Sequence, residues 1–121
     1  MQISRRPDEL GEHMIVGLAG DIDISAIVAV RSAFHEVLGD GWNRVLVDLA
    51  DVTFLDSAAV GILIGLHRRC REAGGACVLV NLQPEHLRIF SATGLDTVFA
   101  TAADIETACA IAQSASSEVR S

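Results

Sequence analysis

The spacing of hydrophobic residues changes period along the chain, and each change marks an element. Met14 to Ala19 is a short, nearly continuous apolar run that reads as a strand, and Met1 to Arg5 is placed to pair with it through the polar turn Pro7 to Glu12. From Ser25 to Leu38 the apolar residues recur at Ile27, Val30, Phe34, Val37 and Leu38, one face of a helix, with Arg31, Ser32, His35 and Glu36 on the other. Gly39-Asp40-Gly41 stops that helix. Arg44 to Leu49 is apolar in both directions apart from Asp48, as expected of a strand covered on both faces. Ser57 opens a helix running to Glu72 or Ala73, closed by Gly74-Gly75, and Ala76 to Asn81 is a further buried strand. Pro84 suits the first turn of a helix at Glu85 to Thr93, and Gly94 suits its end. Val98-Phe99 reads as a short last strand and Thr101 to Ala112 as a final helix, with Thr101 and Asp104 as its capping box.

These elements predict a single α/β domain over residues 1–112, followed by a disordered tail over residues 113–121. The order β-β-α-β-α-β-α-β-α implies a mostly parallel sheet of four to five strands with about four helices, joined by right-handed crossovers. Loops Gly20 to Ser25, Ala50 to Asp56 and Leu82-Gln83 all leave the carboxyl ends of parallel strands, so they gather along one edge of the sheet, where such folds place their ligands.

Composition narrows what that edge does. Of 121 residues half are apolar, yet the longest apolar run, Ala58 to Leu66, is broken by glycines and ends at His67-Arg68-Arg69. Membrane insertion, which needs about 20 apolar residues, is not expected, nor is a signal segment, and a cytoplasmic protein follows. Sixteen acids against nine arginines give a net charge of −7, which argues against nucleic acid as a partner. The chain has no lysine, which removes a P-loop, a Schiff-base enzyme and a phosphoacceptor receiver domain from consideration. Cys70, Cys77 and Cys109 are odd in number and lack C-x-x-C spacing, so reduced thiols are expected, with no metal and no cofactor.

Ser57, in Asp56-Ser57-Ala58-Ala59, is well suited to be the N-cap of its helix. A nucleophilic role needs a base within reach. His67 lies ten residues along the same helix, about 15 Å away at 1.5 Å per residue, and His13 and His35 belong to the opposite edge. Only His86 can share the edge with Ser57, and no G-x-S-x-G elbow surrounds the serine, so no enzyme is expected. Asp23 or Ser25 is expected to cap the first helix. Asp21, Asp23 and Asp56 are the acids of this edge, without a metal-ligand spacing. Phe54 and Leu55 are expected to plug the core, with Ile22 or Ile24 left exposed for a partner.

The stretch Val45-Leu46-Val47-Asp48-Leu49 followed by Val52-Thr53-Phe54-Leu55-Asp56-Ser57 and Gly61 resembles the signature of STAS domains, in particular of bacterial anti-sigma factor antagonists. Gly20-Asp21-Ile22-Asp23, Gly74-Gly75 and Thr93-Gly94-Leu95 add to the likeness, in the same order, most clearly from Met14 to Phe99. The resemblance implies that Ser57 is phosphorylated by an anti-sigma factor that is also a serine kinase of the histidine-kinase-like ATPase fold. It implies that the unphosphorylated form binds this kinase and frees a sigma factor, and that a serine phosphatase restores binding. Asp21, Asp23, Ile24, Asp56, Ser57, Ala58 and Ala59 form the implied docking surface, on a monomer or weak dimer. The family usually has Ser or Thr and then Gly after the phosphoacceptor. Ala58 removes the rival hydroxyl, and Ala59 adds a methyl where a kinase is expected to approach closely. The alternative within the same family is an unphosphorylated scaffold, or an accessory subunit of a stressosome-like or transporter assembly.

Overall fold

A computed structural model describes residues 1–120, with side chains through residue 114. Five strands, β1 (Gln2–Pro7), β2 (Met14–Ile22), β3 (Arg44–Leu55), β4 (Ala76–Val80) and β5 (Ala100–Ala102), line up in the order β1-β2-β3-β4-β5. Helices α1 (Ile27–Gly39), α2 (Ser57–Glu72), α3 (Pro84–Thr93) and α4 (Ile105–Arg120) alternate with them. β1 is antiparallel to β2, and every other neighbouring pair is parallel, so the predicted order and sheet type are those observed.

Alternation along the strands explains the two-sided core. Val16 and Leu18 of β2, Val45, Val47 and Leu49 of β3, and Cys77 and Leu79 of β4 face α1, α2 and Phe90 of α3. Their neighbours Ile15, Leu46, Val78 and Val80 face the other way, onto Ala108 and Ala112 of α4. Each inner strand is therefore apolar on both sides, as a mainly parallel sheet requires.

The strands and helices depart from the sequence reading in places, each for a local reason. β2 and β3 run on to Ile22 and Leu55, so most of the two expected loops is strand. Polar Asp21 and Thr53 conceal this, because they sit on the exposed face of the β2–β3 ladder, opposite buried Ile22 and Val52. β4 pairs with β3 only from Arg44 to Asp48, whereas β2 stays paired to Leu55, so a two-stranded ribbon projects beyond the sheet. The last strand is Ala100–Ala102, since Leu95–Thr97 winds into a 3-10 turn that carries Val98 and Phe99 out of the sheet. Thr101 is therefore a strand residue and makes no capping box; Asp104 alone caps α4, accepting the Thr107 N–H at 2.7 Å. α4 continues past Ala112 to Arg120, through a stretch with no Gly or Pro to stop it, where a tail was expected; Ser121 lies outside the described residues. Among the described residues no helix is long and apolar enough to cross a membrane.

Two glycines have evident work. Gly94 ends α3 at φ +78°, the left-handed conformation that side chains resist. Gly75 lets β4 begin against Asn43, where an added Cβ would lie 1.8 Å from the Asn43 carbonyl oxygen.

Candidate functional site

The projecting ribbon builds the site. β2 and β3 reach their ends in register, Asp21 beside Phe54 and Ile22 beside Leu55, and the Asp56 N–H still points at the Ile22 carbonyl, 3.5 Å away. The chain then turns at Asp56, which stays extended at φ −95°, ψ 179°, and its Oδ1 accepts the Ala59 N–H at 3.0 Å. Asp56 is thus the N-cap of α2, and Ser57, expected in that role, is its first helical residue. Both residue types cap well; strand pairing that persists to Leu55 decides which one turns the corner. Ser57 is exposed, in a helical first turn whose N–H groups at Ser57 and Ala58 have no intrahelical acceptor.

The β2 side supplies the acids. Thr53 Oγ donates to Asp21 Oδ1 at 2.6 Å across the ribbon, a brace the sequence reading missed. No signal in the sequence pairs the two residues, because the register shift between Gly20 and Asp21 is what sets Thr53 beside Asp21. Asp23 Oδ1 accepts the Ser25 hydroxyl at 2.5 Å and the Ser25 N–H at 3.0 Å, closing a turn ahead of α1. The Ser25 hydroxyl chiefly holds the Asp23 carboxyl below its ordinary range. The cap position of α1 falls to Ala26, which has no side-chain bond to offer, so neither Asp23 nor Ser25 fills it.

The structure brings Asp21, Asp56 and Ser57 to one edge, with Asp23 and Ile24 in the turn that follows β2. Ile24 is 80 % exposed, while Ile22 is buried. Phe54, expected in the core, is 49 % exposed, because position 54 is on the uncovered side of the ribbon; Leu55 does pack on the core. Val28, on the first turn of α1, is a further exposed apolar side chain that the helical pattern alone did not single out. Ala58 is exposed, but Ala59 is only 2 % exposed, so its methyl faces the core and not a docked partner. Beside Ala58 an open groove of about 400 Å³ runs between α1 and α2, over Phe34, Gly61, Ile62 and Gly65, with Arg31 and Arg69 at its rim.

The other chemistry considered for this edge does not assemble. His86 is buried, with Nδ1 lacking a partner, and does not present a base to exposed Ser57. His67 is half-buried on α2, edge-on to Phe99 with ring centroids 5.7 Å apart, and burial lowers its pKa. A larger groove, about 560 Å³, lies at the ends of β4 and β5 between Ala50, Asn81, Gln83, Leu87 and Thr101, and no titratable side chain lines it. Among the described residues Asp21, Asp23 and Asp56 do not converge on a common point that would hold a cation.

Residues 5–108 match the STAS domain family, and the chain belongs to that family. It is 29 % identical over 91 residues to the anti-sigma-B factor antagonist of Bacillus subtilis, covering 75 % of this chain and 83 % of that one. Its fold is similar to the crystal structure of an anti-sigma factor antagonist from Mycobacterium paratuberculosis, with TM-score 0.78 and 24 % identity over 93 % of this chain and 95 % of that one. It is similar also to the Bacillus cell fate determinant SpoIIAA in the phosphorylated form, with TM-score 0.70 and 22 % identity, covering 89 % and 96 % of the two chains.

Proposed function

We propose that this protein is an anti-sigma factor antagonist, a binding module without enzymatic activity, whose association with its partner is switched by phosphorylation of Ser57. The observation that carries the reading is the division of labour at the start of α2. Asp56 performs the capping, which leaves the Ser57 hydroxyl exposed and without structural duty. The names of the relatives support the antagonist role, and a phosphorylated form of SpoIIAA supports phosphate as the signal.

The partner in this reading is an anti-sigma factor that is a serine kinase of the histidine-kinase-like ATPase fold, and a serine phosphatase reverses the modification. Docking uses Asp21, Asp23, Ile24, Asp56, Ser57 and Ala58, with Phe54 and Val28 adding apolar area; Ala59 takes no part because it is buried. A phosphate on Ser57 adds roughly −1.5 to −2 charge. The open N–H groups of the α2 first turn and the helix dipole favour it, and the neighbouring acids oppose it, each by about 0.3–1 kcal/mol at an exposed site. The fold therefore tolerates the modification. In a docked interface the same dianion is desolvated beside Asp56 without a matching cation, at a cost of several kcal/mol, or about three orders of magnitude in affinity.

The test is phosphorylation by the cognate kinase followed by a pull-down. Ser57→Ala is expected to bind the unloaded kinase as the parent does and to stay bound when ATP is added. Incorporation of phosphate into Ser57→Ala, at Thr53 for example, would overturn the assignment.

A further inference from the structure

At the opposite edge of the sheet, the turn between β1 and β2 meets α4. Asp8 of that turn accepts the N–H groups of Glu12 and His13 on Oδ1, at 2.8 and 3.0 Å, which fixes the carboxylate and leaves Oδ2 facing inward. Oδ2 lies 2.9 Å from His13 Nδ1 and 3.8 Å from Cys109 Sγ on α4. One ligand atom from each of the three residues falls within 4.8 Å of the others.

We propose that Asp8, His13 and Cys109 form a binding site for a divalent transition-metal ion of the zinc class. Zinc takes nitrogen, oxygen and sulfur ligands at about 2.0–2.3 Å, and a tetrahedral arrangement places such ligands roughly 3.3–3.8 Å apart. The Asp8–Cys109 edge already has that length, and the Asp8–His13 edge needs to open by about half an ångström once the ion replaces the hydrogen bond. A thiol and an imidazole beside one carboxylate select against calcium and magnesium, which prefer all-oxygen sets. The bound Asp8 Oδ1 plays the part of an outer-shell anchor, orienting its own liganding oxygen.

His13 is the buried member of the cluster: its side chain is 0 % exposed and its single side-chain hydrogen bond, through Nδ1, is the one to Asp8. That nitrogen, already aimed at the carboxylate, is the one the ion would take, and burial of the ring holds it in place. Burial and the facing Asp8 carboxylate hold the Cys109 thiol above its ordinary range, so ligation displaces that proton to solvent, and Asp8, Glu12 and His13 are the titratable groups around it. Asp8 and Cys109 are partly exposed, which leaves an entry path and a fourth position for water, with the Glu12 carboxylate close by and held by Gln113. The ion would join the β1–β2 turn to α4, two parts of the chain about a hundred residues apart, a distance that hides the cluster from any motif search.

Cobalt(II) reports the test directly, because thiolate coordination gives an intense near-ultraviolet charge-transfer band. The reduced full chain is titrated with cobalt(II), then with zinc(II). One equivalent should produce the band, and zinc should abolish it while raising the melting temperature. Cys109→Ser should lose the band and bind zinc at least tenfold more weakly. Asp8→Asn keeps the Oδ1 acceptor for the turn, so it should stay folded and also weaken zinc binding at least tenfold. Cys70 and Cys77 are buried in the core and serve as internal controls. No band in the parent protein, or a band that persists in Cys109→Ser, would overturn the proposal.

Discussion

Replacing Asp56 with alanine removes the acceptor of the Ala59 N–H and leaves α2 uncapped. Loss of an Asp cap costs about 1 kcal/mol, within roughly 0.5–2. In a chain of this length each kcal/mol moves the melting temperature by about 3–5 °C. Asp56→Ala is therefore expected to melt about 3–5 °C lower. Asp56→Asn keeps the acceptor and gives up only the attraction between a carboxylate and the positive helix end, about 0.3–1 kcal/mol. Ser57→Ala behaves differently, because the serine is exposed and already helical. Alanine is the stronger helix former, so the change should lie within about 0.5 kcal/mol of zero, on the stabilising side. Calorimetry or urea unfolding of the three variants at neutral pH, in one buffer, ranks them. A loss in Ser57→Ala as large as that in Asp56→Ala would show that the serine bears the cap, and the argument that it is free for modification would fail with it.

Two further outcomes follow from the packing. Gly75→Ala should lower stability by about 3 kcal/mol or more, since the clash is with the Asn43 backbone and not with a mobile side chain, whereas Gly61→Ala, which meets nothing within 4 Å, should raise it by about 0.5–1; equal urea midpoints for the two would contradict this. Burial holds the His67 imidazole below its ordinary 6.5, so as the pH falls through that value the unfolded chain takes up the proton first. Stability present above it is lost toward acid, and His67→Gln should flatten that part of the profile; identical slopes in parent and variant would refute the cause.

Strand and helix order was legible because each inner strand is a continuous apolar run and each helix shows a clean stripe, from Ile27 to Val37 in α1 and from Ala59 to Cys70 in α2. What stayed hidden depends on pairing between distant segments. The ribbon past Gly20 and Ala50 mixes acids and Thr53 with apolar residues, and only its ladder to the neighbouring strand identifies it as strand. Asp56 and Ser57 are equally good caps in isolation, and the register of β3 chooses between them. Phe54 reads as core by residue type alone, but position 54 falls on the face of the ribbon that is left exposed. The edge that gathers Asp21, Asp56 and Ser57 was foreseeable from topology; the braces that hold it, Thr53 on Asp21 and Ser25 on Asp23, were not.

The ribbon formed by the ends of β2 and β3 also fixes the kind of shape that can read this surface. It stands out past the last residues of β4, so the neighbourhood of Asp21, Phe54 and Ser57 is a promontory. A protein that recognises the serine has to furnish the recess into which the tip fits. On this chain the tip itself offers a small molecule too few walls, and the groove between α1 and α2 beside Ala58 is where such a compound would find them.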